Sequence, residues 1–280
     1  MPLTPTRDLI TRAASARTGV GAFNVISLET AEGLVAAAER SGRDVILQIS
    51  ENCVSYHGGL EPLAAATLAI GASSSANVAV HLDHATDEAL ALLAISLGFG
   101  SVMYDGAHLD YTENVAATRR VVTAAHAAGV FVEAELGTIG GKDGAHAPGV
   151  RTDPSEAAAF AAETGVDALA VAVGSSHAMS NRDAALDLDL IERIADAVPV
   201  PLVLHGSSGV PDDLIVEAIS AGMTKINVST HLNGFFTRAV RQVLDDNPAL
   251  VDSRRYLDAG RAALSTEAER LLTLFATPAR

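Results

Sequence analysis

The stretch NVAVHLDHATDEALALLAISLGFGSVMYD, residues 77–105, holds one complete folding unit. Asn77-Val78-Ala79-Val80 opens an apolar run that predicts a strand over Val78–Asp83. Thr86-Asp87-Glu88 reads as a helix start, and the apolar residues after it predict a helix over 86–97. Gly98 stands where a helix C-cap belongs. Ser101–Asp105 predicts the next strand. Strand, helix and strand at this spacing make a βαβ unit, the building block of a parallel sheet. Within it His81 and Asp83 lie two apart, so an extended strand turns both to one face. His84 would face the other way unless the strand stops there, and the helix start at Thr86 predicts that it does.

The same punctuation recurs on both sides of this unit. Further strands are predicted at Gly21–Val25, Val45–Ser50, Phe131–Leu136, Ala168–Gly174, Leu202–His205 and Lys225–Ser229. Helices are predicted near 29–41, 61–73, 112–128, 154–164, 187–197 and 211–221, with another from about 231. Gly42, Gly129, Gly165 and Gly222 separate helix from strand as Gly98 does. The strands read as short apolar runs, as expected of a parallel sheet buried on both faces. A doubly wound sheet shares this local pattern, but eight successive β-then-α units predict a (β/α)8 barrel of the TIM type. Residues 5–17 add an N-terminal helix, and residues 252–275 a C-terminal helical extension suited to subunit contacts. No linker rich in Pro, Ser or charge divides the chain, so residues 1–280 read as a single domain.

Composition narrows the function. The chain has 280 residues, 49% of them hydrophobic, and a net charge of −15. Such an acidic surface repels nucleic acid and anionic lipid. Cys53 is the one cysteine, which leaves neither a disulfide framework nor a cysteine-based zinc cluster and fits a reducing cytoplasm. The N-terminus shows no basic region followed by an apolar run, so no signal peptide is expected. No apolar run approaches the roughly 18 residues of a membrane span.

In a barrel the chemistry gathers at the C-terminal ends of the strands. Those ends carry Asn24, Ser50, Asp83-His84, Asp105, Glu135, Gly174-Ser175-Ser176-His177, His205-Gly206-Ser207-Ser208-Gly209 and Asn227. His84, His177 and His205 come from three strands and make a plausible zinc site with an open position for substrate. His81 and His108 flank acidic strand ends and are expected to orient ligands. His57, His126, His146 and His231 are expected to be solvated. The loops after strands seven and eight, Gly206-Ser207-Ser208 and Asn227-Val228-Ser229-Thr230, suit a phosphate held by backbone amides and a helix N-terminus. Schiff-base chemistry needs a buried lysine. Lys142 lies in a long loop and Lys225 is expected at the start of its strand, away from the active face. The loop Gly137–Thr152 is far longer than the usual connection and suits a lid.

These motifs together resemble the class II, zinc-dependent ketose-bisphosphate aldolases, the family of fructose-bisphosphate and tagatose-bisphosphate aldolases. The resemblance rests on His81-Leu82-Asp83-His84-Ala85, Tyr104-Asp105-Gly106-Ala107-His108, Glu133-Ala134-Glu135-Leu136-Gly137, Thr164–Val171, His205-Gly206-Ser207-Ser208-Gly209 and Lys225-Ile226-Asn227-Val228, and runs from about residue 5 to 275. It implies a zinc-bearing barrel that reversibly cleaves a ketose bisphosphate to dihydroxyacetone phosphate and an aldehyde. By position it implies that His84, His177 and His205 bind the catalytic zinc. It makes Asp83 the acid/base at the C4 hydroxyl, and Asp105 and Glu135 ligands of a second divalent or monovalent cation. Gly206, Ser207, Ser208, Asn227, Val228, Ser229 and Thr230 would bind dihydroxyacetone phosphate, and Ser50 the aldehyde half. A homodimer or homotetramer is expected. Two departures bear on the substrate. His177-Ala178-Met179-Ser180 stands where the family has H-G-x-Y, so that Ala178 offers its amide while crowding the phosphate pocket. Gly140–Gly144 carries fewer acids than the family loop. A non-catalytic relative would be free to lose Asp83 or a histidine, and none is lost. A metal-dependent hydrolase or isomerase fits the phosphate loops and Asp83 less well.

Overall fold

The computed structural model describes residues 3–136, 151–176 and 181–277. Eight parallel strands close into a barrel in sequence order, β1 to β8, with β1 paired to β8. They are β1 Val20–Asn24, β2 Val45–Ser50, β3 Val78–Ala85, β4 Ser101–Tyr104, β5 Phe131–Leu136, β6 Ala168–Val171, β7 Leu202–Leu204 and β8 Met223–Val228. Helix α1, Thr6–Ala16, precedes the barrel. The outer helices are α2 Leu28–Ser41, α3 Glu51–His57, α4 Glu61–Ser73, α5 Glu88–Ser96, α6 Tyr111–Ala127, α7 Pro154–Thr164, α8 Leu188–Ala197 and α9 Asp212–Ala221. They are followed by α10 Thr230–Asp246 and α11 Ser253–Phe275.

Local chemistry explains the punctuation. Asp87, Asp110, Asp153 and Asp187 each accept a backbone N–H in the first turn of the helix that follows, as N-caps do. Gly42, Gly98, Gly129, Gly165 and Gly222 all take positive φ at the turn from helix to strand. Helix α3 lies outside the sequence expectation. Its signals are Ser50, whose Oγ accepts the Cys53 N–H at 3.3 Å, and Gly58 at its end.

Two apolar layers hold the barrel. Outward-facing Phe23, Leu47, Val80, Leu82 and Val132 pack under the helices. Inside, Val20, Ala22, Ile46, Ala79, Phe131, Ala168, Ala170 and Val203 fill the lower barrel. Leu9, Ile10 and Ala13 of α1 join this inner cluster, so the helix plugs the N-terminal mouth. Going up β2, β3 and β5, the inward positions turn polar. Ala79 gives way to His81 and Asp83, Phe131 to Glu133 and Glu135, and Ile46 to Gln48, all buried. The small side chains of β6 leave room for the larger polar groups opposite.

Three strand expectations need correction. Strand β3 does not end at Asp83 but continues to Ala85 through an irregularity between Leu82 and Ala85. Strand β6 stops at Val171, before the expected Gly174, where the chain takes φ 122°. Strand β8 begins at Met223, which moves Lys225 from the strand's start to its middle. The loop expected to act as a lid falls almost entirely, over 137–150, outside the described residues.

Candidate metal and substrate site

The irregularity in β3 builds the site. His84 has φ 53°, the left-handed region that few side chains other than glycine adopt. This extra residue turns His84 inward beside Asp83, where a regular strand would send it out. His84 Nε2 lies 3.9 Å from Asp83 Oδ1. The ring of His205, directly after β7, lies 4.7 Å from that of His84 between centroids. Asp83, His84 and His205 each offer a ligand atom within 4.8 Å of the others, and all three are buried. His84, Asp105 and Glu135 form a second convergent set under the same limit. Imidazole nitrogens and carboxylate oxygens in a closed cluster are the donors that zinc or a similar divalent ion takes, so these residues fit a metal.

Each histidine is oriented by a carboxylate. His84 Nδ1 lies 2.8 Å from Asp105 Oδ2, so Asp105 can fix the ring with Nε2 facing Asp83. His205 Nε2 is 3.0 Å from Glu133 Oε1, and its Nδ1 is 3.2 Å from Glu135 Oε2. Burial opposes a charge on His205, but its hydrogen bonds to the Glu133 and Glu135 carboxylates prevail and push its pKa up to about 9.

Asp83 is held by long contacts from Asn24 Nδ2 at 3.4 Å and Asn227 Nδ2 at 3.5 Å. Gln48 Nε2 donates to Asn24 Oδ1 at 2.8 Å and sets that amide. Burial would raise the Asp83 carboxyl, but His84, Lys225 and His205 outweigh it and bring the pKa to about 2. Asp83 is therefore an ionised acceptor at neutral pH.

At the phosphate loops, Gly206 takes φ 66° and has no room for a Cβ, which would meet Ser176 O at 2.6 Å. Ser207 Oγ donates to Leu204 O at 3.0 Å. Ser208 Oγ accepts from Ser229 N and His231 N, both at 3.2 Å. The Gly206 loop thus meets Ser229 and His231, either side of Thr230 at the N-terminus of α10, close above Asn227 and Val228 of β8. Ser50 sits half-buried at the end of β2, in register with Asp83. His177 and Ala178 lie outside the described residues, as does His146.

The structure moves other residues from their expected places. Lys225 is buried in the barrel, with Nζ 2.8 Å from Glu133 Oε2. His81 is also buried below the site, its Nδ1 2.8 Å from Ser101 Oγ. It supports Lys225 instead of a ligand directly. Burial and Lys225 push its pKa down to about 3, so it is neutral. His108 is exposed and orients nothing among the described residues. His231 is not solvated but bonds Glu267 Oε1 at 2.7 Å. His57 and His126 are exposed as expected, and bond Ile26 O and Asp167. No motif in the sequence marks Gln48, and Glu133 stands out only as part of Glu133-Ala134-Glu135. The signal for both was the step of two that places them inside, below Ser50 and Glu135.

Residues 4–279 match the family described as fructose-bisphosphate aldolase class-II. The chain belongs to that family. It is 39% identical over 270 residues to a fructose-bisphosphate aldolase of Geobacillus stearothermophilus, covering 94% of this chain and 93% of that protein. It is 36% identical over 261 residues to a 6-phospho-5-dehydro-2-deoxy-D-gluconate aldolase of Bacillus licheniformis, covering 92% and 89%. Among solved structures, the YdjI aldolase of Escherichia coli K12 superposes with a TM-score of 0.86 at 30% identity, covering all of both chains. The family makes the protein a class II aldolase, an aldehyde-lyase acting on a phosphorylated sugar. None of the described helices is long and apolar enough to cross a membrane.

Proposed function

We propose that this chain is a zinc-dependent aldolase that reversibly cleaves fructose 1,6-bisphosphate or tagatose 1,6-bisphosphate. The products would be dihydroxyacetone phosphate and glyceraldehyde 3-phosphate. The observation that carries the reading is the pair of adjacent inward groups Asp83 and His84, made by the bulge in β3 and facing His205. His84, His177 and His205 would hold the zinc, with Asp105 and Glu135 available to a second cation or an alternative position. When bound, zinc supplies Lewis-acid stabilisation of negative charge developing on the substrate's carbonyl oxygen. Asp83, ionised and steadied by Asn24 and Asn227, accepts the C4 hydroxyl proton as the C3–C4 bond breaks. In the condensation direction it returns that proton. Gly206, Ser207 and Ser208 bind one phosphate with Asn227, Val228, Ser229 and Thr230, mainly through amides and hydroxyls. That suits an anion inside a protein of net charge −15. Ser50 would meet the aldehyde half, and by the family resemblance the Ala178 amide would contact the first phosphate.

Residues 1–280 act as one catalytic domain. Helix α10 buries only Leu232 fully along its length, which favours a homodimer or homotetramer formed through the C-terminal helices. A cytoplasmic setting fits the single buried cysteine. A second reading, an aldolase for a different phosphorylated substrate, is favoured by Ala178 and by the gluconate-type relative.

The test is to incubate the purified protein with each bisphosphate and measure dihydroxyacetone phosphate with and without EDTA. EDTA-sensitive release from either sugar supports the first reading and identifies the preferred C4 configuration. No release from zinc-loaded protein with either sugar favours the second.

A further inference from the structure

We infer that Glu133 and Lys225 are positioning residues that hold His205 in its metal-binding orientation from inside the barrel. This rests on the reading of His205 as a metal ligand. The two oxygens of Glu133 are divided between two partners. Oε1 takes His205 Nε2 at 3.0 Å, and Oε2 takes Lys225 Nζ at 2.8 Å. With Nε2 held on Glu133, Nδ1 is the nitrogen that faces Glu135, on a ring whose centroid lies 4.7 Å from that of His84. Lys225 is fixed in turn. His81 Nε2 lies 3.5 Å from Nζ, and His81 Nδ1 reaches Ser101 Oγ, which meets Thr6 Oγ1 of α1 at 2.8 Å. Lysine only donates, so His81 accepts through Nε2 and carries its proton on Nδ1. The column runs from the plug helix to the metal ligand, with a defined donor and acceptor at the His81–Lys225 and Glu133–His205 steps and an ion pair between Lys225 and Glu133.

A purely structural role explains this arrangement poorly. A buried ion pair is often no more stabilising than apolar residues of equal volume, and both side chains here are 1% exposed. Metal-bound histidines regularly give their second N–H to a carboxylate, and loss of that carboxylate costs about 10–100-fold in metal affinity. Asp105 stands in that relation to His84. Glu133 stands in it to His205, with an ammonium behind it to keep the carboxylate in place.

The test compares two uncharged pairs in the full chain. Glu133→Leu with Lys225→Met removes both charges and the acceptor. Glu133→Gln with Lys225→Met removes both charges but keeps a carbonyl oxygen for His205. Zinc affinity is read by competition with a chelator, and the ligand field by the visible spectrum of the cobalt(II) form. The Leu/Met pair should lose about 10–100-fold in zinc affinity and alter the cobalt spectrum, and the Gln/Met pair should recover most of both. If the Leu/Met pair binds zinc within twofold of the parent, or both pairs lose equally, the inference is overturned. His205→Ala separates it from the reading beneath it. If that variant keeps parental zinc affinity, His205 is no ligand and both fail. Glu133→Asp withdraws the carboxylate by one methylene while keeping the charges, and should show the same loss if the uncharged pairs do not fold.

Discussion

Lys225→Met alone should destabilise the protein more than removing both charges. The substitution leaves the Glu133 carboxylate buried with its ammonium gone. Breaking a buried ion pair from one side costs about 3–5 kcal/mol. In metal-free protein His205, 3.0 Å away and with its pKa raised, partly compensates Glu133, which places the cost near the lower end. Over 280 residues the entropy of unfolding amounts to about 0.6 kcal/mol/K. A loss of about 3–5 kcal/mol therefore lowers Tm by about 5–8 °C. The assay is differential scanning calorimetry at pH 8 in EDTA. Adding Glu133→Leu to Lys225→Met should restore most of the loss, since an apolar pair of similar volume replaces the charges. A single variant melting within about 2 °C of the parent, or a double variant no better than the single, would refute the electrostatic account of this pair.

Other consequences can be measured directly. Asp83→Ala should reduce kcat by at least about 100-fold while zinc binding by chelator competition changes little; full turnover would remove Asp83 from the role of base. Asp105→Ala should weaken zinc binding about 10–100-fold by releasing the His84 ring, and unchanged affinity would show that the ring is held by packing. Gly206→Ala forces a Cβ against Ser176 O at positive φ and should raise KM for the sugar phosphate at least tenfold. Parental KM would mean that the loop moves freely. Glu267 is held at about 2, below the usual 4.5: burial would raise it, but His231 and Arg270 outweigh burial. Its folded pKa is depressed, so its contribution to stability is complete above about 4.5 and is lost as pH falls towards 2. The Tm gap between parent and Glu267→Gln should be constant from pH 7 to 5 and shrink below that. A gap unchanged down to pH 3 would contradict the assignment.

The sequence made the alternation of strands and helices legible because α2, α5, α6, α7 and α9 each end at or just before a glycine and most helices begin on an aspartate or serine. Those are local signals that tertiary packing did not override. The candidate site was legible as a set of strand ends, since a parallel barrel brings all of them to one rim. The backbone at His84 was not. A rule of two residues per repeat assumes a regular strand, and nothing in His81–Ala85 announces a left-handed residue. Nor was the place of Lys225 legible. Met223 and Thr224 do not read as a strongly apolar start, so apolar patterning begins the strand at Lys225 and puts the lysine at its base. His231 looked solvated because its partner, Glu267, lies on α11, far away in sequence. Helix α3 was marked by Ser50 and Gly58 but is shorter than the helices that periodicity detects.

The bulge at His84 has a consequence for anyone moving this chemistry elsewhere. A regular strand presents one side chain to a given face about every 6.5–7 Å, too coarse a grid for a base and a metal ligand to act on the same substrate atoms. Here one residue of reversed handedness brings the two to 3.9 Å without lengthening any side chain. Copying Asp and His onto adjacent positions of an ideal strand would leave one of them outside the barrel. What has to be transplanted is a backbone conformation, and the strand on either side must be rigid enough to impose it.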